Sequence, residues 1–404
     1  MTLPFPRFLL RLLLSSSLVL VSCAPATSSP TVPSSTKTPT APIIETITPI
    51  VAGTTDIAPT IQPGFVAADG SRPLVFPADF GAHPDFRTEW WYYTGNLETA
   101  DGRHFGFKLT IFRVGLISPT VELPPDSKWS GRDLYFAHFA VSDIASESFH
   151  SFQRYSRPGP GLAGAQAAPY HVWLEDWNIS ENSAGVYQLQ AEEDGVALNL
   201  TLTDEMGVVL QGQNGYSRKG KSAANASYYY SQPRLHADGF VSLAGVQYAV
   251  TGLAWNDHEF STSVLDENQI GWDWFSMQFE DGRALMLFQV RERGGGISDT
   301  SSGTFIAVDG TPQSLHKSDF EIAVLDQWRS SRTQGVYPSS WKIQIREPNC
   351  SLNVNPWMAD QEINFPPITY WEGAVRFEGT CDGTPVRGNG YVELTGYAGN
   401  LPLP

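Results

Sequence analysis

The sequence predicts an all-β protein: two similar barrels or sandwiches in tandem behind an export signal and an unstructured tether. Three observations carry the all-β expectation. Aromatic and β-branched runs with period-two alternation recur along the chain, Asp-Gly turns separate several of them, and no dozen residues keep a 3.6-residue period. The 404 residues are ample for two domains, and 12 Trp with 22 Phe supply a core. Thirty-six Gly and 29 Pro provide turn formers. A formal net charge of −16 leaves no dominant basic patch and argues against a nucleic-acid partner.

Residues 1–22 read as an export signal. Arg7 and Arg11 give a positive start, and residues 12–21 form an apolar run too short to cross a bilayer. The run closes on Leu20-Val21-Ser22-Cys23, which resembles the bacterial lipobox. Cys23 is therefore the expected lipidation site, and the expected location is the extracytoplasmic side of the cell envelope, with membrane attachment through an N-terminal lipid anchor. Residues 23–70 are Pro, Thr, Ser and Ala with almost no aromatic residue. Such a segment buries too little surface to offset its ordering entropy, and reads as a tether.

The folded part reads as a duplication, 71–250 and 251–404. Glu89-Trp90-Trp91-Tyr92-Tyr93-Thr94 matches Gly271-Trp272-Asp273-Trp274-Phe275-Ser276, with Tyr92 against Trp274 and Tyr93 against Phe275. Both copies run on to Asp-Gly-Arg, at 101–103 and 281–283, and then to an apolar strand at 105–112 and 285–290. Asp-Gly between such runs is a strong hairpin signal, because Gly accepts the positive φ of tight turns. Further strands are expected at 133–143, 186–203, 239–255, 341–346 and 390–397. Export to an oxidising compartment allows a disulfide between Cys350 and Cys381.

Candidate chemistry gathers where the 239–255 run ends, in Trp255-Asn256-Asp257-His258-Glu259. If the strand continues, Asp257 and Glu259 share a face with Trp255 while His258 points away. Two carboxyls beside a Trp can be held at different pKa values, the drier one acting as a general acid and His258 orienting it or activating water. The same pattern also fits a polar network pinning a barrel rim. Adjacent residues of a strand cannot converge on one ion, so no metal is expected. Without a phosphate loop, a Gly-x-Ser-x-Gly elbow or a His-Glu-x-x-His helix, no cofactor is expected either.

Several ordered motifs resemble the lipocalin-like superfamily of AttH proteins and carotenoid 1,2-hydratases (hydroxyneurosporene synthases). They are His83-Pro84 with 89–92, Ala137-His138-Phe139-Ala140 with Asp143, Tyr228-Tyr229-Tyr230-Ser231, 255–259, 271–276, Thr369-Tyr370-Trp371-Glu372-Gly373 and 390–397. The resemblance runs from about residue 77 to the end and implies two lipocalin-like β-domains around an apolar ligand. In the hydratase branch the Asp-His pair takes part in cofactor-free addition of water to a terminal isoprenoid double bond. That pair matches Asp257 and His258, which together with Glu259 are the catalytic candidates, and the aromatic residues Trp90, Trp91, Tyr93, Trp255, Trp272, Tyr370 and Trp371 are expected to line the site. Phe260 stands where that branch usually shows Trp, and no acid follows Phe288-Gln289, which brings the chain closer to AttH-like proteins, described as secreted hydrolases. The expected function is binding of an isoprenoid- or polyketide-like molecule, with hydration or isomerisation by acid–base catalysis. A non-catalytic lipophile carrier and a hydrolase of an envelope ester or glycoside are the alternatives.

Overall fold

The structure, a computed structural model, describes residues 64–123, 131–222, 224–263 and 265–399. The expected export signal, Cys23 and the chain up to residue 63 lie outside the described residues. The tether was expected to reach residue 70, but ordered packing begins earlier: Phe65 and Ala68 are already buried, Phe65 against Gly115.

Two antiparallel sheets hold nearly all the chain. The first has 13 strands and curls on itself, bringing Tyr170–Leu174 back over His104–Gly115 and Asp133–Asp143. The second has ten strands, from Gln269–Phe279 to Thr384–Thr395. Each encloses its own core, and a third apolar cluster lies in the seam between them. Strand alternation assigns side chains to these layers. Trp91, Tyr93 and Leu97 fill the first core, while Trp90 and Tyr92 face the seam. No helix among the described residues is long and apolar enough to cross a membrane.

The duplicated hairpins occupy equivalent places. Thr88–Glu98 lies between its hairpin partner His104–Gly115 and Val246–Ser263; Gln269–Phe279 lies between Ala284–Glu292 and Thr384–Thr395. Gly102 and Gly282 sit at the two turns with φ of 86° and 95°. The second hairpin is two residues shorter between Trp and Asp-Gly, an even number that leaves every side chain on its original face.

Three expectations change. The 186–203 run is two strands, Val186–Glu193 and Val196–Asp204, because Asp194-Gly195 turns the chain with both φ positive. The 239–255 run likewise breaks at Ala244-Gly245 between Ala226–Leu243 and Val246–Ser263. The division expected at residue 250 would cut that second strand, which pairs wholly within the first sheet; the sheets part between Ser263 and Gln269.

Cys350 and Cys381 are cross-strand neighbours joined by a disulfide that closes 31 residues of chain. Replacing both by Ala is expected to lower stability by roughly 3–4 kcal/mol, chiefly by freeing the unfolded chain, and to be read as a lower guanidinium midpoint.

Candidate functional site

The strand Val246–Ser263 carries the candidate acids to both of its faces. His258 points into the first barrel. It stacks on Trp91 at 4.7 Å, its Nε2 lies 2.8 Å from Glu89 Oε1, and its Nδ1 lies 2.9 Å from the Tyr230 hydroxyl. Burial lowers its pKa. It belongs to a buried network in which Glu89 also meets His83 Nδ1 at 2.7 Å and accepts from Arg113 Nε at 2.8 Å. Both ring nitrogens of His83 face carboxylates, Glu89 and Asp79, and these acids, outweighing its burial, raise its pKa. His83, Glu89 and His258 place ligand-type atoms within 4.8 Å of one another, and those atoms are engaged with each other and with Arg113. The network ties residues 79–86 to the barrel. His258 is thus a packing and network residue, on the face opposite Asp257.

Asp257 faces the seam. Its Oδ1 accepts from Trp255 Nε1 at 2.7 Å and Ser231 Oγ at 2.5 Å, and its Oδ2 accepts from the Tyr229 hydroxyl at 2.7 Å. Trp274 Nε1 donates to the same tyrosine oxygen at 3.2 Å, and the Trp255 and Trp274 rings meet edge to face. Burial pushes Asp257 up to about 7 against those three donors, and Glu259 adds to the push. Glu259 accepts from Ser227 and pairs with Lys219 Nζ at 3.0 Å.

A second acid, absent from the sequence expectations, stands at the pseudo-equivalent position. Asp257 lies opposite Tyr92, and Glu393 lies opposite Trp274, the residue matched to Tyr92 in the duplication. Glu393 accepts from Trp272 Nε1 at 2.9 Å, and burial followed by repulsion from Glu372 pushes it up to about 7. Its cross-strand neighbour Glu372 pairs with Lys108. Lys108 also donates to the Tyr370 hydroxyl at 2.5 Å, which lies 2.6 Å from His138 Nδ1. Burial and Lys108 hold His138 well below its ordinary pKa, as the neutral imidazole.

Four carboxyls therefore share the seam with two lysines. Lys219 and Lys108 neutralise Glu259 and Glu372; among the described residues Asp257 and Glu393 have no cationic partner in ion-pair contact. A buried carboxyl without a counter-ion stays protonated until near neutral pH. Each of those two can therefore give or take a proton near neutral pH.

The aromatic candidates separate by face. Trp90, Trp255 and Trp272 belong to the seam cluster, and Tyr370 joins it through Lys108. Trp90, Trp272 and Glu393 keep part of their surface accessible. Trp91 and Tyr93 instead lie in the first core and Trp371 in the second, with Trp91 and Trp371 indoles donating to the Phe80 and Ala359 carbonyls. They fill cores because they are one residue out of phase with the seam face. At the hairpin end of the seam a separate cleft of about 640 Å³ opens between Leu97, Leu253 and Phe279. The raised-pKa acids are not in its lining.

Comparison with known proteins agrees with this architecture. The family model for AttH-like proteins matches residues 67–397. The crystal structure of the AttH homologue NE1406 from Nitrosomonas europaea is similar at 38% identity, covering 82% of this chain and 100% of that one, with a TM-score of 0.73. Kievitone hydratase from Nectria haematococca shares the fold at 15% identity and a TM-score of 0.61, covering 83% of this chain and 96% of its own. CghA does so at 12% identity and a TM-score of 0.51, over 85% and 97% of the two chains. No curated protein matched the sequence. With its family model spanning both sheets, and with a relative of known structure matched over its entire length, this chain belongs to the AttH-like family.

Proposed function

We propose that the seam binds an apolar isoprenoid- or polyketide-like molecule and hydrates or isomerises its double bond by acid–base catalysis. One observation carries the reading: Asp257 is a buried carboxyl with its pKa raised to about 7, without a cationic partner among the described residues, bonded to the Trp255 indole, whose ring meets Trp274 edge to face. Protonating an alkene needs an acid that is neutral at working pH, and the resulting cation is stabilised by π faces. Glu393 supplies a second proton-exchanging group of similar pKa in the same seam. A fold shared with a kievitone hydratase supports the reading.

The test is incubation of the protein with citronellol and squalene, each bearing trisubstituted isoprenoid double bonds, in water labelled with heavy oxygen. Mass spectrometry should find a tertiary alcohol carrying the label, or a shifted double bond. Tight binding of both probes with neither product would leave a lipophile carrier.

The envelope location belongs to the same proposal. Lipidation at Cys23 fits a protein that meets apolar ligands at a membrane. Cys23→Ser is expected to move the protein from the detergent phase to the aqueous phase on partitioning; equal partitioning of both forms into the aqueous phase would remove the anchor.

A further inference from the structure

Beside the two acids lies a group of buried polar atoms short of hydrogen bonds. The Thr94 and Thr110 hydroxyls are buried with no partner, while the Tyr92 hydroxyl with the Glu372 carboxylate, and the Tyr391 hydroxyl with Ser142, make contacts short of a well-formed hydrogen bond, leaving Glu372 Oε1 poorly satisfied. They are not scattered. Tyr92 pairs across the hairpin with Thr110, and Thr94 with Lys108. Lys108 reaches Glu372, and Tyr391 lies one strand away, opposite Ala374. Tyr92 and Tyr391 belong to the seam cluster with Trp255 and Trp274. Tyr92 lies opposite Asp257, and Glu372 opposite Glu393.

A buried polar atom left unpaired costs about 1–3 kcal/mol, so two orphaned threonine hydroxyls beside two weakly paired tyrosines mark a place that a further donor and acceptor would fill. These hydroxyls both donate and accept, and the Lys108 ammonium has a third proton beyond those given to Tyr370 and Glu372. That donor and acceptor set suits water, which makes two to four bonds in such places.

We propose that Tyr92, Thr94, Thr110, Tyr391, Lys108 and Glu372 form a water-holding chamber, and that its water is the nucleophile of a hydration at the neighbouring acids. This rests on the acid–base reading above. Asp257 gives its proton to one alkene carbon, leaving a cation on the other. The chamber water bonds through its oxygen to that carbon, and its surplus proton passes to Glu372 Oε1. Exchange with solvent returns a proton to Asp257 and removes one from Glu372. Alkene and water become one alcohol, with no oxidant or reductant.

A crystal structure of the wild-type protein should show at least one ordered water bonded to two or more of these groups; a dry chamber overturns the proposal. The Thr94→Val/Thr110→Val variant keeps the shape and removes two hydroxyls. With citronellol and squalene in heavy water it should still wash deuterium into the alkene, since Asp257 is untouched, while hydrated product falls about 10²-fold. If hydration continues at the wild-type rate the chamber is not the source of the nucleophile. Joint loss of deuterium wash-in and hydration, in a variant with native circular dichroism, would also overturn it, by tying the hydroxyls to the acid. If the double variant fails to fold, Tyr391→Phe is measured by the same split. A wild-type protein giving neither wash-in nor alcohol sinks the acid–base reading itself, whatever waters the crystal shows.

Discussion

Asp257→Asn is expected to reduce turnover of an isoprenoid alkene by about 10²–10⁴-fold while leaving ligand binding within a few-fold. Asn keeps the shape of the protonated acid. Its carbonyl can accept from Trp255 and Ser231 as Oδ1 does, and its amide can donate to the Tyr229 oxygen. What is lost is the transferable proton and the acceptor that Oδ2 offers the Tyr229 hydroxyl. The same substitution has a second, opposite signature in stability. Asp257 ionises near 3.8 when unfolded and near 7 when folded, so between those values the folded state holds the extra proton and wild-type stability falls as pH rises. Asn lacks that dependence. The variant should therefore match the wild type near pH 4 and exceed it progressively up to pH 7. The gain is bounded at about 4 kcal/mol by the size of the shift and is constant above. Urea unfolding at pH 4, 6 and 8 measures it. A variant less active and also less stable at pH 8 would make Asp257 a structural residue.

Arg113→Ala is expected to destabilise the fold by about 3–5 kcal/mol. The Arg113 side chain is almost wholly buried. It pairs with Glu89 and Asp133 and donates to the carbonyls of His83 and Phe86 at 2.7 Å each. Removing it leaves the Glu89 carboxylate buried with only the two histidines and orphans two carbonyls. Lys cannot reproduce a planar fork that serves four oxygens, so Arg113→Lys should recover only part of the loss. Adding Glu89→Gln to Arg113→Ala should recover some stability by removing the unpaired charge. A thermal or urea unfolding series on the three variants gives the comparison.

The sequence was most legible where a single period governs. Alternation around Trp255 placed Asp257 and Glu259 on one face and His258 on the other, as the strand shows. The hairpin match placed Tyr92 against Trp274, and the two occupy equivalent strands. Where alternation runs unbroken through a turn, as at Asp194-Gly195 and Ala244-Gly245, strand boundaries are hidden, because both flanks carry the same pattern. Trp91, Tyr93 and Trp371 were grouped with seam residues by chemistry alone, though alternation sends them to the cores. Glu393 was missed although its signal was present. Once Tyr92 is matched to Trp274, the strand facing Trp274 is the place to seek a counterpart of Asp257, and the 390–397 motif contains an acid there. The pairing of Lys108 with Glu372, 264 residues apart, has no local signature at all.

The central claim is that two uncompensated seam carboxyls remain protonated near neutral pH, and infrared spectroscopy tests it directly. The carbonyl stretch of protonated carboxylic acid should persist at pH 6, disappear through a transition near pH 7, and lose part of its intensity in Asp257→Asn and part in Glu393→Gln. A spectrum with no protonated carboxyl left at pH 6 would contradict it, since both acids would then enter the working range as ordinary carboxylates with no proton to give.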